Sequence, residues 1–429
     1  MTKIKFKTLV LFVSSYPSPT GEMFIENELK VLQGKFDKIW IIQTKFLENY
    51  KYHRLFKPNN SEKKIMYETK INKVRSIVRL FFSFYFFSEI STILKTNPKK
   101  LFNYNLYKDL IYYYLSSEKK KYWLKNFIID NNIDLKTTLF YTYWCDENTF
   151  LLSRYNREIA KIDYITRLHN WDLYFERQKS NHQSFRSHIF NNSFKIIPIS
   201  KHGENYCFTE IPNLNTSKFS TSYLGVENFE INPQYISTLH KEEIQELNII
   251  TISYISPIKG LENLMHSLRK IKDIDIHWHH IGWGDPAYEN EIKYQVSQLI
   301  TNNKNIKVTF HGKFSQSNIR SFLENKPIDL MINCSAKEGV PVTLMEAASA
   351  GIPILAYRID GIPEIVMDKY NGFLVEPNLK DFSAYIKKFY HMKKEDKKRM
   401  SENAQTMQRN NFNAAINYQK FHDILQMPC

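Results

Sequence analysis

The chain has 429 residues, more than one hydrophobic core usually serves, so two or three domains are expected. With 43% hydrophobic and 24% charged residues it is neither disordered nor fibrous, and no run approaches the roughly 18–20 apolar residues of a membrane span. A formal net charge of +15 favours an anionic partner (nucleotide sugar, phospholipid or nucleic acid) without choosing among them.

Lys3, Lys5 and Lys7 ahead of TLVLFV mimic a signal peptide. The apolar run is short, however, and no small-x-small cleavage pattern precedes Tyr16-Pro17, so it reads as the first buried strand. A helix over FIENELKVLQGK and a strand over KIWIIQTK follow. The loop after the first strand holds Gly21 and Glu22 but no G-x-G-x-x-G, so a nicotinamide or flavin fingerprint is absent. Residues 46–134 break this rhythm as a long helical insertion that interleaves basic and aromatic residues, as in RSIVRLFFSFYFFSEI. That composition suits a membrane interface, and equally a helical hairpin packed on the first domain.

Alternation resumes at 137 with TTLFYTYW, a helix beginning near Asp146, IDYITRLHN, a further helix and FKIIPIS. The segment Thr166-Arg167-Leu168-His169-Asn170-Trp171-Asp172 sits at the end of a strand, where α/β ligand sites lie. Residues 227–247, polar and interrupted by Pro233, are the expected interdomain linker. LNIITISYIS and KGLENLMHSLRKI give a strand and a helix with Lys259-Gly260 at their junction, followed by IDIHWHHIGWGD and IKVTFHGKF, each with its helix. His277 and His279 share one face of a strand and His280 takes the other, so three ligands do not converge on a metal. The four cysteines, Cys145, Cys207, Cys334 and Cys429, lack paired metal spacing and read as reduced, cytoplasmic thiols.

The sharpest local signals lie between Ile328 and Pro377. IDLMINCS has the length of a buried strand, VTLMEAASAG has helical spacing closed by Gly351, and PILAYRI reads as a second strand, giving a βαβ unit. Pro341 suits a first helical turn, and Gly339 lets backbone approach a ligand. The unpaired N–H groups of that helix start should face an anion such as a diphosphate. Glu338 and Glu346 flank the same turn at different heights, where hydroxyl donors of a sugar or ribose would satisfy them.

Glu338-x7-Glu346, followed by Gly351-Ile352-Pro353, Gly361-Ile362-Pro363-Glu364 and Asn371-Gly372, resembles the donor-binding half of the retaining GT-B glycosyltransferases of family 4. Within it the chain is most similar to those that build bacterial capsular, exopolysaccharide and lipopolysaccharide chains. The resemblance implies an α/β chain of GT-B architecture with two Rossmann-like domains facing a central cleft. An acceptor-binding domain would span 1–228 with 46–134 inserted, a donor domain 229–408, and a C-terminal helix, 409–429, would cross back.

The resemblance also implies residue roles. Glu346 would hold ribose hydroxyls, Lys259 and the helix at Thr343 the diphosphate, and Glu338 with the Gly339 and Val340 backbone the sugar. The turn Gly282-Trp283-Gly284-Asp285 would lie near the nucleotide. Thr166 to Asp172 resembles the family's T-x-H-G-x-D region with Asn170 for glycine, which makes His169 the contact to the donor sugar and, with Glu338, an expected catalytic residue. Gly21, Glu22, Arg167 and Asp172 fall on the acceptor side. Where the family commonly has Gly-Arg, this chain has Ser253-Tyr254; Tyr254 in the donor site cannot supply the second cation, and Arg167 or Arg358 is the expected substitute.

The implied reaction is transfer with retention from a nucleoside-diphosphate sugar to a lipid-linked saccharide. It would run at the cytoplasmic face of the inner membrane with peripheral membrane contact, and with neither cofactor nor metal. A nucleotide-sugar epimerase of the same architecture and a catalytically silent, donor-binding partner subunit are the alternatives. A nucleic-acid binder has no recognised module here.

Overall fold

The computed structural model describes residues 6–17, 22, 25–45, 57–230 and 245–427. The chain divides into two compact units, Met1–Tyr223 with Tyr418–Cys429, and Leu224–Asn417. Gly21 lies outside the described residues, as do 231–244 of the segment read as a linker.

The first unit runs β1 (Thr8–Val13), α1 (Ile25–Leu32), β2 (Lys38–Gln43), β3 (Ser61–Ile65), α2 (Lys73–Phe81), α3 (Phe84–Thr96), α4 (Tyr104–Asp130), β4 (Thr138–Thr142), α5 (Glu147–Glu158), β5 (Asp163–Leu168), α6 (Arg186–Asn192), β6 (Lys195–Pro198) and α7 (Lys201–Glu210). Its strands are all parallel, in the order β3-β2-β1-β4-β5-β6. A parallel sheet carries helices on both faces, so its central strands must be apolar on both. TLVLFV and TLFYT are therefore continuous runs, and every residue of β4 is buried.

One strand departs from the expected helical insertion. SEKKI forms β3, an edge strand paired with β2 alone. Lysines suit an edge because they discourage further pairing, and they also hide it from a search for apolar runs. The insertion is otherwise helical. The long α4 buries Leu106, Leu110, Trp123, Leu124 and Phe127 in a core shared with Trp40 and Phe150. In contrast, Phe82 and Phe102 are 80% and 92% exposed, and Phe84 and Phe87 are also exposed. No single helix among the described residues is long and apolar enough to cross a membrane, although α2 and α3, bent by 50°, pass together on length and composition.

The second unit runs β7 (Leu247–Ile252), α8 (Leu261–Arg269), β8 (Ile276–Ile281), α9 (Pro286–Asn302), β9 (Ile306–Gly312), α10 (Gln316–Asn325), β10 (Leu330–Asn333), α11 (Val342–Ser349), β11 (Ile354–Tyr357), β12 (Gly372–Val375), α12 (Ser383–Tyr390) and α13 (Lys394–Asn411). Its parallel order is β12-β11-β10-β7-β8-β9. The last helix, α14 (Ala414–Gln426), passes into the first unit at Tyr418, where Phe421 and Leu425 are fully buried beside Phe6, Leu9 and Tyr141.

Each sheet repeats one plan, with strands placed outward in both directions from the first and fourth of its own set. The order reverses between β1 and β4 in the first unit and between β7 and β10 in the second. Open α/β sheets bind ligands in the crevice beyond the carboxyl ends of the strands at this reversal. The residues that follow these four strands are therefore the ones to inspect.

Candidate functional site

In the second unit the loops after β7 and β10 meet. The Ala336 N–H donates to Ile258 O at 2.8 Å, and Gly260, in the left-handed region at φ 62°, lies so close to Cys334 that a Cβ would sit 2.4 Å from its carbonyl oxygen. Only glycine fits there, and this approach carries Lys259 to the β10 loop. Its Nζ donates to Glu338 Oε1 at 2.6 Å, and Asn333 Nδ2 approaches the same oxygen at 3.4 Å. The Glu338 N–H donates to Asp360 Oδ2 at 2.9 Å, which ties the loop to the one after β11. Gly361 lies equally tight against the carbonyl of Gly339, and Gly339 and Val340 are buried. Thr343 sits half-buried in the first turn of α11.

Glu346, further along α11, is 3% exposed, and its nearest donor is the Gln316 amide at 3.4 Å. Burial pushes its carboxyl up to about 7. Such a group favours a ligand that brings hydroxyl donors to it.

The turn after β8 packs on the loop after β7. Ser253 N–H donates to Ile281 O and Ile255 N–H to Trp283 O, and Gly282 and Gly284 each lie too close to that loop to carry a Cβ. Tyr254 meets Trp283 edge to face at 5.6 Å, and Lys313, from the loop after β9, sits 4.6 Å above the Trp283 ring. Sequence reading did not single out Lys313, because a lysine after a strand has no signature. His277 and His279 lie side by side on one face of β8, with centroids 3.9 Å apart and rings inclined at 38°, while His280 turns inward to Thr251. Among the described residues no group of three or more His, Cys, Asp or Glu side chains is placed to hold a metal.

In the first unit the residues after β1, β4 and β5 form a second cluster. Glu22 is buried, and its carboxylate accepts from the N–H groups of Ser14, Ser15 and Tyr16 and from Trp144 Nε1 at 2.6 Å. It therefore braces the loop after β1 against the one after β4. His169 lies 4.3 Å from Trp144 and 4.8 Å from Tyr143, ring to ring. Asp172 accepts from the N–H groups of His169 and Cys145 and stands 3.6 Å from His169 Nδ1. Burial holds the imidazole below its usual pKa although Asp172 opposes this, so the ring is neutral. Trp144 is the residue that sequence reading missed here, since its partners lie 122 and 25 positions away.

Arg167 departs from expectation. It is fully buried, 3.2 Å from Glu28, with Tyr141 OH and Ser222 O as further partners and Phe421 4.3 Å away. Strand alternation explains the outcome: Arg167 points to the sheet face opposite Thr166 and Leu168. It braces the core and faces no substrate, so it is neither an acceptor contact nor a substitute cation. Arg358 is engaged with Glu376 at 2.8 Å. Arg167→Ala should destabilise the protein by roughly 3–5 kcal/mol, because it leaves Glu28 buried without a counter-charge. A chemical denaturation midpoint within error of wild type would contradict that.

Residues 239–407 match the family described as "Glycosyl transferases group 1". The matched residues fall within the second unit. The chain is 27% identical over 217 residues to an uncharacterized glycosyltransferase of Methanocaldococcus jannaschii, covering 51% of this chain and 55% of that protein. It is 24% identical over 216 residues to the amylovoran biosynthesis glycosyltransferase AmsK of Erwinia amylovora, covering 49% and 50%. The chain thus spans about half the length of the curated relatives it matches. Among solved structures, HepE of Anabaena in complex with UDP superposes with a TM-score of 0.69 at 16% identity over 98% of this chain and 99% of that one. The fold is therefore GT-B, a glycosyltransferase architecture of two Rossmann-like units. The Lys259–Glu338 pair and Glu346 all lie within the matched residues.

Proposed function

We propose that this chain transfers a sugar from a nucleoside-diphosphate sugar to a saccharide acceptor in bacterial surface polysaccharide synthesis, with retention of configuration and without a divalent metal. The observation that carries the reading is the Lys259–Glu338 pair at the β7/β10 reversal. In the free protein each neutralises the other. A bound donor would separate them, since the diphosphate attracts the ammonium while sugar hydroxyls donate to the carboxylate. The bond from the anomeric carbon to the diphosphate breaks, the acceptor oxygen attacks from the same face, and its proton goes to the departing phosphate oxygen. Lys259 offsets the charge that builds there, an effect worth several kcal/mol in a water-poor site. Glu346 holds the ribose, the start of α11 at Thr343 holds the diphosphate, and the Gly282–Gly284 turn lies beside the nucleotide. His169 contacts the sugar as a neutral donor or acceptor.

The acceptor is lipid-linked, and the protein works peripherally at the cytoplasmic membrane face. In support, the exposed rings of Phe82, Phe84 and Phe87 follow Arg75 and Arg79 of α2 closely in the chain, a mixture of the kind that settles at an anionic headgroup layer. Phe82→Ser with Phe87→Ser should reduce co-sedimentation with phosphatidylglycerol vesicles at least fivefold; unchanged binding would remove this point of contact.

The test of the reading is thermal unfolding against UDP, GDP, ADP and CMP, each with and without EDTA, with UDP first because HepE was solved with it. One nucleotide at a hundredfold its Kd should add about 2.7 kcal/mol, unaffected by EDTA. No response to any of the four overturns the donor reading. Binding without sugar transfer to any acceptor would instead favour the silent-subunit alternative.

A further inference from the structure

Beyond β1 and β4 the first unit encloses a cavity of about 420 Å³, within the roughly 300–1,000 Å³ of small-molecule sites. Two walls differ in origin. One is built by the loops after β1, β4 and β5, which contribute Glu22, Trp144 and Trp171; the other is the inserted helix α4, which contributes Asp109, Tyr112 and Tyr113. The start of α5 adds Asp146 and Glu147.

The chemistry of this lining is unusual for so basic a chain. Among the described residues, the lining holds four carboxyl side chains, those of Glu22, Asp109, Asp146 and Glu147, and one lysine, Lys45. Glu22 is held in position by its backbone and indole donors. Glu147 is countered from outside the lining by Lys120 at 3.1 Å. Burial, and after it the neighbouring charge of Glu147, push Asp146 up to about 7.

Two residues of the same lining each carry a buried polar atom without a protein partner: Ser184 Oγ, in a residue 2% exposed, and His182 Nδ1, whose ring is held at Nε2 by Glu89 at 2.7 Å. A buried hydroxyl and a ring nitrogen left unpaired are costly unless a ligand satisfies them. Trp144 and Trp171, with centroids 5.7 Å apart and planes inclined at 41°, supply two aromatic surfaces over which the C–H face of a sugar ring fits.

We propose that this cavity is a saccharide site for uncharged or amino-bearing sugars and that it excludes sugars carrying a carboxylate or phosphate. Hydroxyls donate to Asp109 and Glu147 and meet Ser184 and His182, while the rings cover the apolar face. An anionic sugar would bring its charge among four carboxyl groups that, among the described residues, are balanced by Lys45 on the lining and Lys120 behind it. This deepens the proposed function, since it rests on the chain acting on saccharides, and it names the sugar class that the acceptor end presents.

Ligand-detected saturation-transfer NMR on the full-length protein, at low salt, tests the proposal with methyl glucoside, glucosamine and methyl glucuronide. Saturation should pass to the glucoside and to glucosamine, and at least tenfold less to the glucuronide. Trp171→Ala should abolish it for every sugar, and Asp109→Asn should raise the glucuronide signal relative to the glucoside. Thermal stabilisation by nucleotide, measured on the same samples, keeps the two readings apart. A glucuronide signal equal to that of the glucoside, signal surviving in Trp171→Ala, or no saturation of any sugar while nucleotide still stabilises the protein overturns the saccharide site alone. Loss of the nucleotide response overturns the donor reading instead.

Discussion

Replacing Glu338 with alanine should cut sugar transfer by about 10²–10³-fold while the nucleoside diphosphate still binds with nearly wild-type affinity. The expectation follows from what the carboxylate touches: Lys259 at 2.6 Å, the Asn333 amide at 3.4 Å and, through its own N–H, Asp360. On the proposed reading Glu338 meets the sugar hydroxyls and not the nucleotide, so its loss should fall on the sugar. The Lys259 side chain keeps about a quarter of its exposure, so freeing it leaves a hydrated ammonium rather than a stranded charge, and the cost to folding should stay near 1 kcal/mol. Initial rates and calorimetric titration of nucleotide, run side by side, separate binding from turnover. If nucleotide binding collapses with activity, Glu338 serves to position Lys259 for the diphosphate and the division of roles is wrong. Lys259→Ala should give the opposite pattern, with weaker nucleotide binding and weaker dependence of that binding on salt.

Glu346→Gln should stabilise the ligand-free protein above pH 7 by about 3 kcal/mol while weakening nucleotide binding about tenfold. Burial raises this carboxyl from 4.5 to about 7, so between those values the folded chain holds a proton that the unfolded chain has released. Stability therefore falls as pH rises from about 4.5 to 7, and the full penalty persists at higher pH. Glutamine removes Glu346's share of that slope. Asp329, buried and likewise raised to about 7, retains its own share, as does Asp146, so the slope should shrink without vanishing. Denaturation midpoints at pH 5 and pH 8 decide the matter: equal stabilities of wild type and variant at pH 8 would mean that the carboxylate is better satisfied than its single amide neighbour suggests. Ribose hydroxyls that donate to Glu346 would favour its ionised form, so wild-type nucleotide binding should release a proton near neutral pH, and binding by Glu346→Gln should not.

The parallel sheets were legible because a strand buried on both faces is largely apolar along its length, and TLVLFV, LMIN and ILAY stand out between helical segments. β3 was not, because a charged edge strand has no such run. The same division holds in the site. Lys259, Glu338 and Glu346 carry local signals, a strand end, a glycine turn and a helix start, and the structure brings Lys259 and Glu338 into contact. Asp360, Trp144 and Lys313 have no local signal and are recognised only by what they touch. Arg167 shows the opposite error. Its place at the end of β5 suggested a ligand contact, but one step of the pleat turns it into the core against Glu28.

The sequence by itself determined the α/β alternation, the apolar strands at the centre of both sheets and the turn residues at their carboxyl ends, because each depends on burial and backbone geometry within a few positions. Only the tertiary structure decided which side chains meet: Glu22 with Trp144, Arg167 with Glu28, Glu338 with Asp360, and the loop-and-helix walls of the acidic cavity. Such partners are set by strand order and by the pleat, across separations that leave no periodicity in the chain.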